Sequence, residues 1–426
     1  MAIRLMNLNR LLVTCFCSDF VSSLSNLNQD YSYRHLSTPL APLTPPHSLP
    51  LWNYSGYTRF PSFYFGASPG PQSSSELAYV RRNSLSGWGW QQGYKSNNGH
   101  HGEAAGAAAA AALRAIAPVG SENSPDATFV YRQSESLFTY YDIFANVTLN
   151  SSLLYASELH DPVSGKPCGG GGLLSFSNAT FIDYWVNIVG GDIALEKNVD
   201  GVFLDGFDKL YSGNTLSSQG CPSYTPSLTA SALLDKVAAT AAFSRVLNAA
   251  GKVAIISTYN FLNASLDGLD RERVGDMNGV YEDAYISGLA DAQWMRFYEV
   301  WLGHGADQDA AMISNAIRET SLGVPFVARS AVGSVHTIEY PAIGFLIAQG
   351  DFCYWGASSG WLDGDWKWTG IYDWQAGTPL SIANRTGTYS WSREFEHANA
   401  TIDVHAGRAT LTTFGVSSPK TIIAMR

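Results

Sequence analysis

Two acidic side chains each follow a short apolar run, and their positions make them the leading candidates for chemistry. Asp205 follows Val-Phe-Leu within residues 199–208, and Glu282 follows Gly-Val-Tyr within residues 279–283. A carboxylate at the end of a buried segment loses hydration, which costs free energy unless a hydrogen bond or a cation compensates it. Each acid is therefore either a structural carboxylate paired with a nearby Arg or Lys, or a functional group held in a cleft.

A pair of carboxyl groups on either side of a sugar-sized cleft is what hydrolysis of a glycosidic bond requires. One group, ionised, attacks or stabilises the sugar cation, while the other, protonated, gives its proton to the leaving oxygen. A separation of about 5–5.5 Å predicts retention of the anomeric configuration, and one of roughly 6.5–9.5 Å predicts inversion. The sequence leaves both outcomes open.

An alternation of apolar strands and helices would position these acids. Strands are predicted at residues 60–66, 85–90, 127–131, 199–208, 253–259, 279–283, 325–329 and 352–355. Helices are predicted at residues 102–117, 181–195, 227–250, 292–322 and 338–349. This order predicts an α/β fold, a (β/α)₈ TIM barrel with catalytic side chains at the carboxyl ends of its strands. An open doubly wound sheet is the alternative, although no Gly-x-Gly-x-x-Gly follows the first strand.

The chain divides into three regions by composition. Residues 1–50 are rich in Ser, Asn, Leu and Pro and are interpreted as a leader, with a possible signal peptide, followed by a linker. Residues 51–370 contain the predicted TIM-barrel catalytic domain. Residues 371–426 contain short strand-like runs without helical periodicity, which predict a small C-terminal all-β module.

Further polar and aromatic residues close to predicted strand ends are expected at the same mouth of the barrel. The polar candidates for substrate binding are Asp208, Asp283, Arg132, Asn260 and Arg329, with Gln91 and Gln92 nearby. The candidates for stacking on sugar faces are Trp88, Trp90, Trp294, Trp355 and Trp361, each of which could instead be a core residue. Trp361 follows strand eight in a Gly- and Ser-rich segment and is the best placed of these to line the cleft. Arg132 and Arg329 could each pair with Asp205 and keep it ionised, or could instead stabilise the barrel rim.

The composition excludes some classes of partner and gives no sign of a cofactor. The net charge of −10 lacks the basic field that nucleic acid requires, so no nucleic-acid partner is predicted. No metal site is predicted either, because the His100-His101-x-Glu103 group lacks the His-Glu-x-x-His spacing. The 12 Trp, 22 Tyr and 20 Phe residues suit an aromatic-lined cleft, and a carbohydrate substrate is the expected partner. The oligomeric state stays open.

Several weak signals indicate a secretory route. Two arginines precede the short apolar run Leu11–Cys17, and seven Asn-x-Ser/Thr acceptor motifs occur in the chain. Cys168 and Cys221 lie in Gly- and Ser-rich segments where a disulfide could form, whereas Cys353 lies in an apolar run and is expected to be a buried free thiol. No apolar run approaches the ~18–20 residues that span a bilayer.

The motifs around the fourth predicted strand resemble a known group of enzymes. Leu174-Ser-Phe-Ser-Asn178, Tyr184-Trp185 and residues 199–208 are similar to the strand-four region of glycoside-hydrolase-like (β/α)₈ proteins. These include the family 114 endo-α-1,4-polygalactosaminidases and related hypothetical glycosyl hydrolases. The resemblance implies that an Asp closing strand four and a Glu closing strand six form the catalytic pair. The matching positions are Asp205, as nucleophile, and Glu282, as general acid/base.

Three functional hypotheses remain at this point. The first is a secreted retaining α-glycosidase, and the second is a catalytically inactive barrel that binds carbohydrate at the cell surface. The third is an intracellular barrel enzyme of another class, such as a lyase that uses Glu282 as a base. Carboxylates of Asp205 and Glu282 in one cavity would favour the first, and a carboxylate paired with a rim arginine would favour the second.

Overall fold

A computed structural model describes most of the chain from residue 52 onward. The described residues are 52, 54–95, 100, 102–121, 123–134, 141–142, 176, 178–205, 230–257, 293–332, 337–414 and 420–426. The predicted leader, the 279–283 segment and both Cys168 and Cys221 lie outside these ranges.

Eight parallel strands in sequential order form the barrel, which confirms the predicted fold. The strands are β1 (Phe63–Gly66), β2 (Leu85–Trp88), β3 (Ala127–Gln133), β4 (Gly201–Asp205), β5 (Val253–Ser257), β6 (Trp294–Tyr298), β7 (Phe326–Ala331) and β8 (Tyr354–Ser358). The last strand returns to the first through a parallel bridge between Ser62 and Trp355, where the Trp355 amide donates to the Pro61 carbonyl at 2.9 Å. The carboxyl ends of all eight strands therefore meet at one mouth.

The sixth strand is where the sequence prediction is wrong. β5 pairs directly with Trp294–Tyr298, with Ala254 opposite Trp294, so the strand that follows β5 in the sheet is Trp294–Tyr298, whereas the predicted 279–283 segment lies outside the described residues. Residues 292–322, predicted as one helix, contain both this strand and the helix Ala306–Ser321. Gly303 and Gly305 adopt positive φ between the two elements, a conformation that interrupts a helix.

Helices surround the barrel in the described part of the chain. They are α1 (Ser74–Val80), α2 (Gly102–Ile116), α3 (Ala179–Tyr184), α4 (Gly190–Leu195), α5 (Ala230–Ala249), α6 (Ala306–Ser321) and α7 (Glu339–Ala348), and a π-helical turn, Trp185–Val189, joins α3 to α4. The alanine-rich α2 packs closely on β3, since a Cβ at Gly106 would lie 3.2 Å from Val130. α3 begins where the Asn178 side chain accepts hydrogen bonds from the Thr180 and Phe181 amides.

A five-stranded antiparallel sheet follows the barrel. Its strands are β9 (Asn384–Gly387), β10 (Ser390–Glu394), β11 (Ala398–Asp403), β12 (Arg408–Thr413) and β13 (Lys420–Met425), in sequential order across the sheet. Burial alternates along β11, where Ala398, Ala400 and Ile402 are buried and the intervening residues are exposed. This period of two is typical of a sheet with one covered face.

Helix α7 forms the contact between the barrel and this sheet. Nine of its ten residues, Tyr340–Ala348, are buried, as expected of a helix covered on both sides. Arg393 on β10 donates to the carbonyl of Leu346 at 3.3 Å and to that of Ile347 at 3.1 Å. Both carbonyls belong to the last turn of α7, where the helix itself supplies no amide donor. The C-terminal module is thereby fixed to the barrel through a helix terminus.

Two further observations concern the thiol of Cys353 and the length of the described helices. Cys353 is a buried free cysteine, as predicted, and burial raises the pKa of its thiol to about 12. Within the described ranges, every helix is too short or too polar to cross a lipid bilayer.

Candidate active site

A cavity of about 220 Å³ opens at the carboxyl ends of the barrel strands. Its lining residues come from strand ends and the segments that follow them: Phe65, Trp90, Tyr131, Gln133, Phe203, Asp205, Phe297, Glu299 and Trp361. Two of these nine residues, Asp205 and Glu299, are acidic, and they come from β4 and from the position directly after β6. This location is where barrel enzymes place their catalytic groups.

Asp205 is fixed both at its backbone and at its side chain. It is the last residue of β4 and is half-buried. Ser134, just beyond β3, donates to the Asp205 carbonyl from its amide at 2.9 Å and from its hydroxyl at 2.6 Å. The phenol of Tyr131 donates to Oδ2 of Asp205 at 2.7 Å. The carboxylate therefore projects into the cavity from a defined backbone position.

Glu299 follows the last residue of β6 and is also half-buried. Along this strand Phe297 lines the cavity, whereas the next residue, Tyr298, points outward and donates to Glu319 of α6. The alternation returns Glu299 to the cavity. Its backbone is near β7, since Arg329 donates to the Glu299 carbonyl at 3.4 Å.

Aromatic rings form the floor of the cavity. The Phe203 ring lies 4.7 Å from Phe65 on one side and 4.7 Å from Phe297 on the other, measured between centroids. Trp90 and Trp361 form a wall, with centroids 6.2 Å apart and both rings half-buried. An apolar floor lowers the local dielectric around the two acids, and the tryptophan faces can stack on a sugar ring.

Arg329 makes contacts at the rim of the barrel. Its guanidinium lies 4.3 Å from the centre of the Trp361 ring and donates to the Ser358 hydroxyl at 2.7 Å. Arg132 lies between two cavity residues, Tyr131 and Gln133, and therefore points to the opposite face of β3. Its guanidinium donates to the Tyr131 carbonyl at 2.7 Å, and Arg132 is not among the residues that line the cavity.

Three of the candidate stacking residues lie in the core, the alternative that the sequence left open. Trp88 and Trp355 are both 0% exposed, and the Trp355 indole donates to the Ser330 hydroxyl at 3.0 Å. Trp294 is 2% exposed in β6. A fully buried ring has no face available to a sugar, which favours the core alternative for these three residues, while Trp90 and Trp361 lie in the cavity wall.

Four of the predicted site residues remain to be located. Glu282, Asp283, Asp208 and Asn260 lie outside the described residues. The acid next to the carboxyl end of the observed β6 is Glu299, which the sequence prediction missed because residues 292–322 were interpreted as a helix. The signal that could have identified it is the pair Gly303 and Gly305, since two glycines are unfavourable inside a helix. Tyr131 and Gln133 were also missed.

No side-chain cluster suited to metal binding occurs within the described ranges: no three His, Cys, Asp or Glu residues there come close enough to hold an ion. The arrangement in the cavity is two carboxyl groups above aromatic rings. Such a set of groups can transfer protons and attack an electrophilic carbon, which is acid–base and nucleophilic chemistry.

The fold and the cavity thus define a (β/α)₈ barrel protein with an acidic, aromatic-lined mouth. Residues 158–399, more than half of the chain, match the model of hypothetical glycosyl hydrolase family 15, and the chain belongs to this family. This confirms the resemblance to hypothetical glycosyl hydrolases, whereas membership of family 114 is not confirmed.

Two glycoside hydrolases are among the solved structures to which the chain is similar. One is a variant of the glycoside hydrolase domain of PelA from Pseudomonas aeruginosa, with 12% identity over 63% of this chain and 94% of that chain and a TM-score of 0.30. The other is the endo-β-1,4-mannanase from Thermotoga petrophila, with 10% identity over 84% of this chain and 97% of that chain and a TM-score of 0.38. No curated protein matches the sequence.

Proposed function

We propose that the protein is a glycosidase that cleaves α-linked glycosidic bonds of an oligo- or polysaccharide with retention of configuration. Asp205 is the nucleophile and Glu299 the general acid/base. The observation that carries the proposal is that these two acids line one cavity at the carboxyl ends of β4 and β6, above an aromatic floor. Glu299 takes the role that the family 114 resemblance had assigned to Glu282.

The reaction proceeds in two steps. The Asp205 carboxylate attacks the anomeric carbon while the Glu299 carboxylic acid gives its proton to the glycosidic oxygen, so the bond to the leaving group breaks and an ester to Asp205 forms. The Glu299 carboxylate then takes a proton from water, and the resulting hydroxide attacks the anomeric carbon and releases Asp205. Each acid is restored at the end of the cycle.

The features of the chain support these details unequally. Family membership supports glycoside hydrolysis, while the resemblance of residues 199–208 to family 114 supports the α linkage and the retaining mechanism. The wall of Trp90 and Trp361 supports a sugar as the ligand. The seven Asn-x-Ser/Thr motifs and the N-terminal apolar run support secretion.

The test is a panel of α- and β-linked oligosaccharides and aryl glycosides, incubated with the wild-type protein and analysed by mass spectrometry. We expect hydrolysis of an α-linked member, and NMR of the first-formed product should show the anomer of the substrate. A first-formed product with the opposite anomeric configuration would show that the reaction proceeds with inversion instead of retention. Binding of a panel member without any hydrolysis, by a protein shown to be folded, would instead identify an inactive carbohydrate-binding barrel.

A further inference from the structure

We infer that Tyr131 is a positioning residue that orients the Asp205 carboxylate for attack on the sugar. The inference rests on the proposed function, since it assigns a role relative to the nucleophile. The Tyr131 hydroxyl donates to Oδ2 of Asp205 at 2.7 Å, the usual length of an O–H···O hydrogen bond. Nothing in the residue types around β3 indicated this contact from the sequence.

The Tyr131 ring is held rigidly, so its hydroxyl is a fixed point. The side chain is only 3% exposed. Its ring is stacked on Phe203 at 6.2 Å with an interplanar angle of 17°, and the Trp90 ring lies 6.1 Å away. The parallel pairing of β3 with β4 places Tyr131 opposite Phe203 and Gln133 opposite Asp205. This register fixes the distance between the Tyr131 hydroxyl and the Asp205 carboxylate.

A fixed donor on one carboxylate oxygen has a direct chemical consequence. Rotation about the Cβ–Cγ bond of Asp205 would move its attacking oxygen out of line with the anomeric carbon, and a donor on Oδ2 restricts that rotation. When the other oxygen forms the ester, Oδ2 becomes the ester carbonyl and can still accept from Tyr131. The same contact therefore serves both steps, and it exists before substrate binds.

A second tyrosine of the barrel provides a matched control. Tyr298 on β6 is also 3% exposed, and its phenol also donates to a carboxylate, Oε2 of Glu319, at 3.0 Å. That carboxylate belongs to α6 and lies outside the barrel rather than in the cavity. The two tyrosines share bond type and burial and differ in the carboxylate that they hold.

The experiment compares Tyr131→Phe with Tyr298→Phe, using the aryl glycoside that the wild-type protein hydrolyses. Tyr131→Phe keeps the ring stack and removes one hydroxyl, so we expect kcat to fall ~10–100-fold with KM changed less than about twofold. Its Tm should stay within about 2 °C of wild type. Tyr298→Phe should retain the wild-type kcat and lower Tm.

Rescue of the nucleophile separates orientation from a general structural effect. In Asp205→Ala, added azide attacks the sugar in place of the carboxylate, and adding Tyr131→Phe should leave the azide-dependent rate unchanged because no carboxylate remains to be oriented. An unchanged kcat in Tyr131→Phe, or an equal loss in the azide-rescued background, would overturn the inference. If Asp205→Asn keeps wild-type turnover, the proposed function itself fails; if Asp205→Asn is inactive while Tyr131→Phe is fully active, only the positioning role fails.

Discussion

The two ends of strand β4 carry the same residue type in opposite surroundings. At the amino end, Oδ2 of Asp200 accepts from Arg114 at 2.7 Å and from the Thr128 amide at 2.8 Å. At the carboxyl end, Asp205 accepts from a phenol and lines a cavity. The contacts of Asp200 hold the amino end of the strand in place, whereas the contact with Tyr131 orients a carboxylate that lines the cavity. The location of each carboxylate, at a packed strand end or at a cavity, therefore predicts a structural role for Asp200 and a chemical role for Asp205.

The largest expected effect is loss of turnover in Asp205→Asn. The amide cannot act as a nucleophile, so we expect kcat to fall by ~10³-fold or more. The Asn oxygen can still accept from Tyr131, so the free energy of unfolding should change by less than about 1 kcal/mol. Steady-state kinetics and urea denaturation measure the two quantities. Retention of wild-type kcat in the folded variant would remove Asp205 from the mechanism.

The matched change at the other end, Asp200→Asn, should show the reverse pattern. It removes the charge that Arg114 contacts, and we expect about 1–2 kcal/mol lower stability because Asp200 is 30% exposed and its ion pair is partly screened. The kcat of the folded variant should equal that of wild type. A large fall in kcat without loss of stability would show that Asp200, at the amino end of β4, does not have a purely structural role.

A smaller effect is expected at the cavity wall. Trp361→Phe shortens the surface on which a sugar can stack, so KM should rise about fivefold, corresponding to ~1 kcal/mol, with kcat nearly unchanged. Trp355→Phe provides the control because Trp355 is fully buried. That change should lower Tm and leave KM unaltered. A raised KM in Trp355→Phe together with an unchanged KM in Trp361→Phe would show that the substrate does not stack on Trp361.

The smallest expected effect concerns Asp126, which directly precedes β3 and so lies at the amino ends of the barrel strands, as Asp200 does. Burial raises the pKa of this carboxyl group, while Arg59 and the Ser55 amide oppose the shift. The folded protein therefore binds this proton more tightly than the unfolded chain, so the free energy of unfolding falls as pH rises from about 4 through the raised pKa. Asp126→Asn removes the titration. The decline measured by urea denaturation across this pH range should become shallower, and an identical decline in both proteins would contradict the assignment.

The fold was predictable wherever apolar runs and helix breakers agreed. Seven of the eight strands lie where short apolar runs indicated them, and the alanine-rich 102–117 segment is the helix α2. β6 was missed because Trp294–Tyr298 contains aromatic residues that also suit a buried helix face, and a short apolar run alone does not distinguish the two. Helix α1 was not predicted, although Ser73 and Glu76 form the capping box that begins it.

The site was less predictable than the fold for a physical reason. Asp205 could be recognised because it ends its own strand, a local property of the sequence. The contact with Tyr131 depends on the register between β3 and β4, and the position of Glu299 depends on which segment pairs with β5. Such pairings are long-range properties of the fold. The strand-end rule therefore identified Asp205, but it did not identify Glu299, the acid that lines the cavity beside it.

The most direct test of the catalytic pair compares two Glu→Gln substitutions in the same assay. Glu299→Gln removes the acid that lines the cavity beside Asp205, and Glu282→Gln removes the acid that the sequence first indicated. We predict that kcat/KM on an oligosaccharide falls by ~10³-fold in Glu299→Gln and stays within about tenfold of wild type in Glu282→Gln. Full activity in Glu299→Gln together with an inactive Glu282→Gln would contradict the pairing of Asp205 with Glu299.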